Sequence, residues 1–102
     1  MSAGDSLKVR VRVMSSLKYV AKRSRLSLEV DSGATVRTLL GSVREVDEEL
    51  FRAVLDHSGE LNPGIIVLVN ERDIDVLQGL DTKLQDGDEV VLLSAVHGGM
   101  NF

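Results

Sequence analysis

Residues 7–13 alternate without a break, with Leu7, Val9, Val11 and Val13 on one side and Lys8, Arg10 and Arg12 on the other. That is the period of a strand with one buried face. After a polar stretch over residues 15–24, Leu26, Leu28 and Val30 alternate with Ser27, Glu29 and Asp31 up to the turn signal Asp31-Ser32-Gly33. Two alternating strands in succession predict a hairpin. From Thr35 the period lengthens: Val36, Leu39, Leu40 and Val43 recur at helical spacing behind a threonine able to cap an early backbone N–H. Leu50, Phe51, Val54 and Leu55 keep that spacing beyond Asp47-Glu48-Glu49. The helix is expected to break near Asp47 and resume.

Asn62-Pro63-Gly64 reads as a turn, and residues 65–69 form an unbroken aliphatic run of the kind found in a well-covered strand. Asn70-Glu71-Arg72-Asp73 reads as the next turn. Residues 74–84 carry Ile74, Val76, Leu77, Leu80 and Leu84 without a clean period and are expected to form a short edge strand and a compact loop. Asp86-Gly87-Asp88 then marks a tight turn before a last strand over residues 90–96. The sum is an α+β layer fold: a mixed four- to five-stranded sheet with one main helix packed on one face. A crossover through the helix lays the final strand beside the first.

A chain of 102 residues holds one domain. Its aromatics are Tyr19, Phe51 and Phe102, so the core must be aliphatic. The lack of cysteine removes disulfides, thiolate nucleophiles and Cys-based metal sites together. No apolar run approaches the roughly 20 residues of a membrane span, and the N-terminus lacks a signal-peptide pattern; these predict a cytoplasmic protein without a membrane partner. A net charge of -4 argues against nucleic acid as a partner.

Lys8, Arg10, Arg12, Lys18, Lys22, Arg23 and Arg25 nevertheless cluster in the first quarter of the chain. The cluster reads either as a solvated strand face or as a meeting place for an acidic protein surface. The last strand is apolar on both sides. One side belongs to the core. On the other, Val91 and Leu93 with Ile66 and Leu68, beside Arg10 and Arg12, form a candidate partner surface, or a face covered by the tail or by a second copy.

Other polar groups carry less. His57 beside Asp56 reads as a polar helix end, since His57 and His97 with no cysteine form no metal-ligand spacing. His97 reads as a solvated linker residue. Asp81, Asp86 and Asp88 lack the alternation and closing glutamate of a calcium loop and read as solvated turn acids. No metal is expected.

Three segments carry a resemblance: Ile66-Val67-Leu68-Val69-Asn70, then Gly79-Leu80-Asp81-Thr82-Lys83-Leu84-Gln85-Asp86-Gly87-Asp88-Glu89-Val90, and finally Val96-His97-Gly98-Gly99. Together they resemble the sulfur-carrier and modifier branch of the ubiquitin-like β-grasp proteins. That branch holds the small subunit of molybdopterin synthase, the thiamine sulfur carrier, and the ubiquitin-related and small archaeal modifiers. The resemblance implies a β-grasp domain over residues 1–97 and a flexible tail over 98–102. It departs from the pattern at two points: Met100, Asn101 and Phe102 follow the glycine pair, and a histidine stands at 97.

The resemblance further implies that an ATP-dependent activating enzyme adenylates the carboxylate of Gly99, with no cofactor bound by the chain itself. An internal carbonyl offers no oxygen to adenylate, so a protease must cut between Gly99 and Met100; a JAMM-type metalloprotease is one candidate. Gly98 and Gly99 suit that chemistry on their own account, because the absence of a Cβ lets the backbone thread a narrow site. The main expectation is a modifier precursor conjugated to lysines of target proteins. The alternative is a sulfur carrier with a Gly99 thiocarboxylate serving molybdopterin, thiamine or tRNA thiolation through a sulfur-accepting enzyme. A tail never processed would leave a noncovalent binding module. In each case the chain is a substrate and not an enzyme, as it shows no nucleophile and base constellation.

Overall fold

The structure, a computed structural model, describes residues 5–95. Strand β1 (Ser6–Val13) pairs antiparallel with β2 (Arg25–Asp31), Leu7 opposite Val30 and Val11 opposite Leu26. The alternation seen in the sequence sets that register, because a slip of one residue would turn Val9, Val11 and Val13 to the wrong face. Strand β3 (Ile65–Val69) pairs antiparallel with the last strand, β5 (Glu89–Ser94), and β5 lies parallel to β1. A two-residue strand, β4 (Arg72–Asp73), closes the far edge, giving the order β2-β1-β5-β3-β4.

Helices α1 (Val36–Val46) and α2 (Glu48–Val54) provide the covering layer. Thr35 caps α1 as its sequence position predicts, its hydroxyl accepting from the Thr38 N–H. Val36, Leu39, Leu40 and Val43 of α1 and Leu50 and Val54 of α2 are buried against Val9, Val11, Val67, Val90 and Leu92 of the sheet. The core is aliphatic, and the helix breaks at Asp47 as expected.

Asp47 explains that break. Its side chain is 2% exposed; Oδ1 accepts from the Leu50 N–H at 3.1 Å and Oδ2 from the Lys22 N–H at 2.7 Å. One carboxylate therefore starts α2 and ties the loop after the first 3-10 turn (Ser15–Tyr19) to the helical layer. Asp47→Ala removes a helix cap and leaves two backbone donors without that acceptor, so a loss of about 3 kcal/mol is expected in urea unfolding. Asp47→Asn, which keeps one acceptor oxygen, should lose roughly half of that.

The region after β3 departs from expectation. An edge strand was expected within residues 74–84, and instead it falls at Arg72–Asp73, inside the segment read as a turn. Asn70 and Glu71 alone make the turn, with φ of 49° and 72°, the left-handed pair that a two-residue hairpin requires. Ile74 is 1% exposed and anchors a 3-10 turn (Ile74–Val76), followed by a second at Gly79–Asp81. The irregular apolar spacing there reflects 3-10 geometry, which has neither the period of a strand nor that of an α-helix. Glu71→Gly should relieve the positive φ and stabilise by about 0.5 kcal/mol, net of the added chain entropy. Comparison of thermal midpoints checks the sign.

Candidate functional site

The path to the C-terminal tail is held from both sides. Met14 N–H donates to the Leu92 carbonyl at 2.9 Å, Ser94 N–H donates to Ser15 Oγ at 2.8 Å, and Ala95 N–H donates to the Gly64 carbonyl at 2.7 Å. Ser15 adopts φ of 55° to place its hydroxyl there, a cost a serine side chain with a local hydrogen bond can bear. The last strand is thus pinned to the end of β1 and to the Asn62-Pro63-Gly64 turn up to Ala95. Val96, His97, Gly98, Gly99 and Met100 lie outside the described residues, as do Asn101 and Phe102.

The register brings the other sequence-selected residues onto the sheet face away from the helices. Val91 sits opposite Leu68 on one side and Arg12 on the other, Leu93 sits opposite Ile66, and Glu89 sits opposite Arg10. Val91 is 7% exposed although no helix covers it, while Ile66, Leu68 and Leu93 are half-buried. The surface is a low aliphatic strip with a closed centre and accessible shoulders. Arg12 and Arg25 face each other across β1 and β2, an unfavourable pairing of like charges. Glu89 relieves it, its carboxylate 3.7 Å from Arg12. These side chains, with Arg10 and Ser27, line a shallow depression of about 290 Å³.

The acids of the Asp86-Gly87-Asp88 turn are structural. Asp86 accepts from the Lys8 N–H at 2.8 Å. Asp88 is 9% exposed, not solvated as its turn position suggested; it accepts from Asn70 Nδ2 and from the Gln85 N–H, each at 2.8 Å. Asn70 in turn accepts from the Glu89 N–H at 3.0 Å. This network joins the β3–β4 turn to the start of β5. The sequence offered one sign of it, an asparagine where a left-handed turn residue is favoured. Asp81 lies apart and exposed, 3.4 Å from Arg37. Among the described residues no three His, Cys, Asp or Glu side chains converge as metal ligands.

Asp56 organises the loop after α2. The Ser58 hydroxyl donates to its Oδ1 at 2.7 Å, the Glu60 N–H at 3.0 Å and the Ser58 N–H at 2.8 Å. The Ser58 hydroxyl first and the Glu60 N–H second hold its carboxyl below the ordinary carboxylate range. A lowered carboxyl stabilises the fold above its unfolded-state pKa, and that contribution fades as pH falls through the lowered folded value. A Ser58→Ala chain should therefore show Asp56 titrating at higher pH than the parent, read from its side-chain carbon shift by NMR. His57 is exposed beside it, in a hollow shared with Arg44 and Phe51.

Comparison with known proteins agrees with this geometry. Residues 8–99 match the family pattern of Urm1, the ubiquitin related modifier. Ubiquitin-related modifier 1 of Schizosaccharomyces pombe is 32% identical over 97 residues, covering 89% of this chain and 98% of the relative. A candidate sulfur carrier protein of Archaeoglobus fulgidus is 34% identical over 73 residues, covering 71% of this chain and 83% of its own length. The crystal structure of SAMP1 from Haloferax volcanii superposes with a TM-score of 0.79 at 28% identity, over 90% of this chain and 99% of that one. The fold is the ubiquitin-like β-grasp, and the resemblance read from the three sequence segments is borne out. The chain belongs to the Urm1 family of ubiquitin-related modifiers, whose relatives include both modifiers and sulfur carriers.

Proposed function

We propose that the chain works through the carboxylate of Gly99 as a protein modifier joined to lysines of target proteins. The observation that carries this reading is where the family match ends: it runs through residue 99 and leaves Met100, Asn101 and Phe102 outside it. Hydrolysis of the Gly99–Met100 peptide bond adds water and frees the carboxylate. An oxygen of that carboxylate then attacks the α-phosphorus of ATP in the site of an activating enzyme, expelling pyrophosphate and leaving an acyl adenylate. A lysine amine displaces AMP, losing a proton, and an isopeptide bond results. The chain supplies the carboxylate and the docking surface; catalysis belongs to the activating enzyme and the protease, for which a JAMM-type metalloprotease is a suitable class.

Within the chain, the clamp at Ser94 and Ala95 gives the tail a fixed origin. Four extended residues from Ala95 reach at most about 14 Å, so the activating enzyme must seat the sheet close to its own ATP. The aliphatic strip of Val91, Leu93, Ile66 and Leu68, with Arg10 and Arg12 beside it, is the surface suited to that seating. The cytoplasm, where ATP and such enzymes are found together, suits the chemistry.

A second reading is favoured by the Archaeoglobus relative: a hydrosulfide-level donor displaces AMP and leaves a thiocarboxylate for a sulfur-accepting enzyme. Intact-mass measurement after incubation with ATP and native cell extract separates the two. Loss of residues 100–102 with isopeptide adducts at Gly99 supports the modifier. The same loss with one oxygen exchanged for sulfur supports the carrier, and an unchanged mass would sink both.

A further inference from the structure

The free edge of the sheet is strand β2, separated by β1 from the aliphatic strip on β5 and β3. Val13 N–H donates to the Ser24 carbonyl at 2.8 Å and Ser32 N–H donates to the Asp5 carbonyl at 3.1 Å. Both bonds lie in the β1–β2 register, where Val9 faces Leu28 and Val11 faces Leu26. In an antiparallel ladder alternate residues point to the same neighbour. Residues 24, 26, 28, 30 and 32 therefore bond to β1, while Arg25, Ser27 and Glu29 turn their N–H and C=O groups outward. Strand β2 ends the sheet, and among the described residues none of these outward groups has a hydrogen-bond partner. The result is a ladder spaced to receive one more strand.

Beside that edge lies a groove of about 490 Å³ between β2 and the C-terminal end of α1. Its apolar walls are Leu26 and Leu28, both half-buried, and Val46, which is 47% exposed at the end of an otherwise well-buried helix stripe. Lys22, Arg23 and Arg25 line one end together with Asp47, whose carboxylate is already taken by the backbone N–H groups of Lys22 and Leu50, and none of the three cations forms an ion pair among the described residues. Glu29 and Asp31 stand at the opposite end of the strand. On a chain of net charge -4, the edge is thus graded from cationic to anionic along its length.

We propose that this edge binds an extended, apolar segment of another protein by strand addition, with acidic residues at the end lying beside Lys22, Arg23 and Arg25. The outward groups of Arg25, Ser27 and Glu29 supply main-chain hydrogen bonds. Alternate apolar side chains of the segment fill the groove against Leu26, Leu28 and Val46. The cations select its acidic end, and Glu29 and Asp31 repel an acidic residue at the other, which fixes the direction of the added strand.

The test uses the full chain and three short synthetic peptides: a valine–isoleucine core with glutamates at one end, the same core with lysines, and the glutamate peptide with a central proline. In an NMR titration the glutamate peptide should move the amides of Arg25, Ser27 and Glu29 to saturation and slow their hydrogen exchange. The lysine and proline peptides should leave them in place. Joint Arg23→Glu and Arg25→Glu substitution should weaken binding about tenfold. Ser27→Pro removes one outward donor without breaking the bonds to β1, since proline is tolerated where a strand N–H faces outward, and should abolish the shifts in a chain whose other amides stay native. Equal binding of the lysine peptide, shifts centred on Val91 and Leu93 instead of β2, or unchanged binding by a folded Ser27→Pro chain would each overturn the proposal.

Discussion

A chain carrying Gly99→Ala is expected to be adenylated about a hundredfold more slowly than the parent, on the scale at which a misplacement of an ångström costs a reacting group, while unfolding at the same urea concentration. The second half of the expectation follows from the core: among the described residues the buried cluster is built from side chains such as Val9, Leu39, Leu40, Leu50 and Leu92, and the substitution deletes no atom from any of them. The first half follows from the reaction. A carboxylate entering a narrow site beside ATP must bring its own backbone close to the α-phosphorus, and a Cβ at that residue both widens the chain and narrows its allowed φ. The measurement is pyrophosphate release by the activating enzyme, with both chains truncated after residue 99 so that processing is not limiting. Adenylation of the variant at the parent rate would remove Gly99 from the chemistry, whatever became of the fold.

How far such a site was legible depended on which physical signal marked it. Residues 7–13 and 26–30 announced their strands and their shared register, because alternation at a period of two admits one assignment when one face must be buried. Thr35 and Asp47 were legible as helix boundaries, since a side-chain oxygen ahead of a helical run has one obvious use. The placement of Val91, Leu93, Ile66 and Leu68 on one face followed from parity alone. What parity could not show was that Val91 is closed over by its neighbours on the sheet while Leu93 is half-open.

The misread residues share a cause: their roles depend on partners distant in the chain. Asp88 is buried because Asn70 reaches it across 18 positions, and nothing in Asp86-Gly87-Asp88 itself distinguishes it from a solvated turn. The β4 strand at Arg72–Asp73 exists because Asn70 and Glu71 both accept positive φ, which an Asn-Glu pair signals less strongly than Asn-Gly. The groove beside β2 needed the end of α1 to be placed against residues 22–28, a contact between segments about 20 residues apart that no local pattern encodes. A groove of this kind emerges from tertiary structure, whereas the glycine pair, whose proposed chemistry is local, stands out in the sequence.

Leu92→Ala should cost about 3–4 kcal/mol, within the range for emptying a fully buried leucine site, and Val91→Ala, one position away, should cost distinctly less. Leu92 is 0% exposed in the central strand, beneath the helices, and belongs to the cluster that includes Leu39, Leu40 and Leu50. Its truncation opens a cavity between sheet and helices that rigid strands on both sides, β1 and β3, keep from collapsing. Val91 points to the helix-free face, where Leu68 and the stem of Arg12 can settle toward the gap. Its loss removes less apolar volume and leaves a dent open to water in place of a void. Urea midpoints of the two variants, at an unchanged slope, measure the difference directly. Equal losses would mean that the exposed face is packed as tightly as the core, and the aliphatic strip would then be part of the stability of the fold and not a surface left free for a partner.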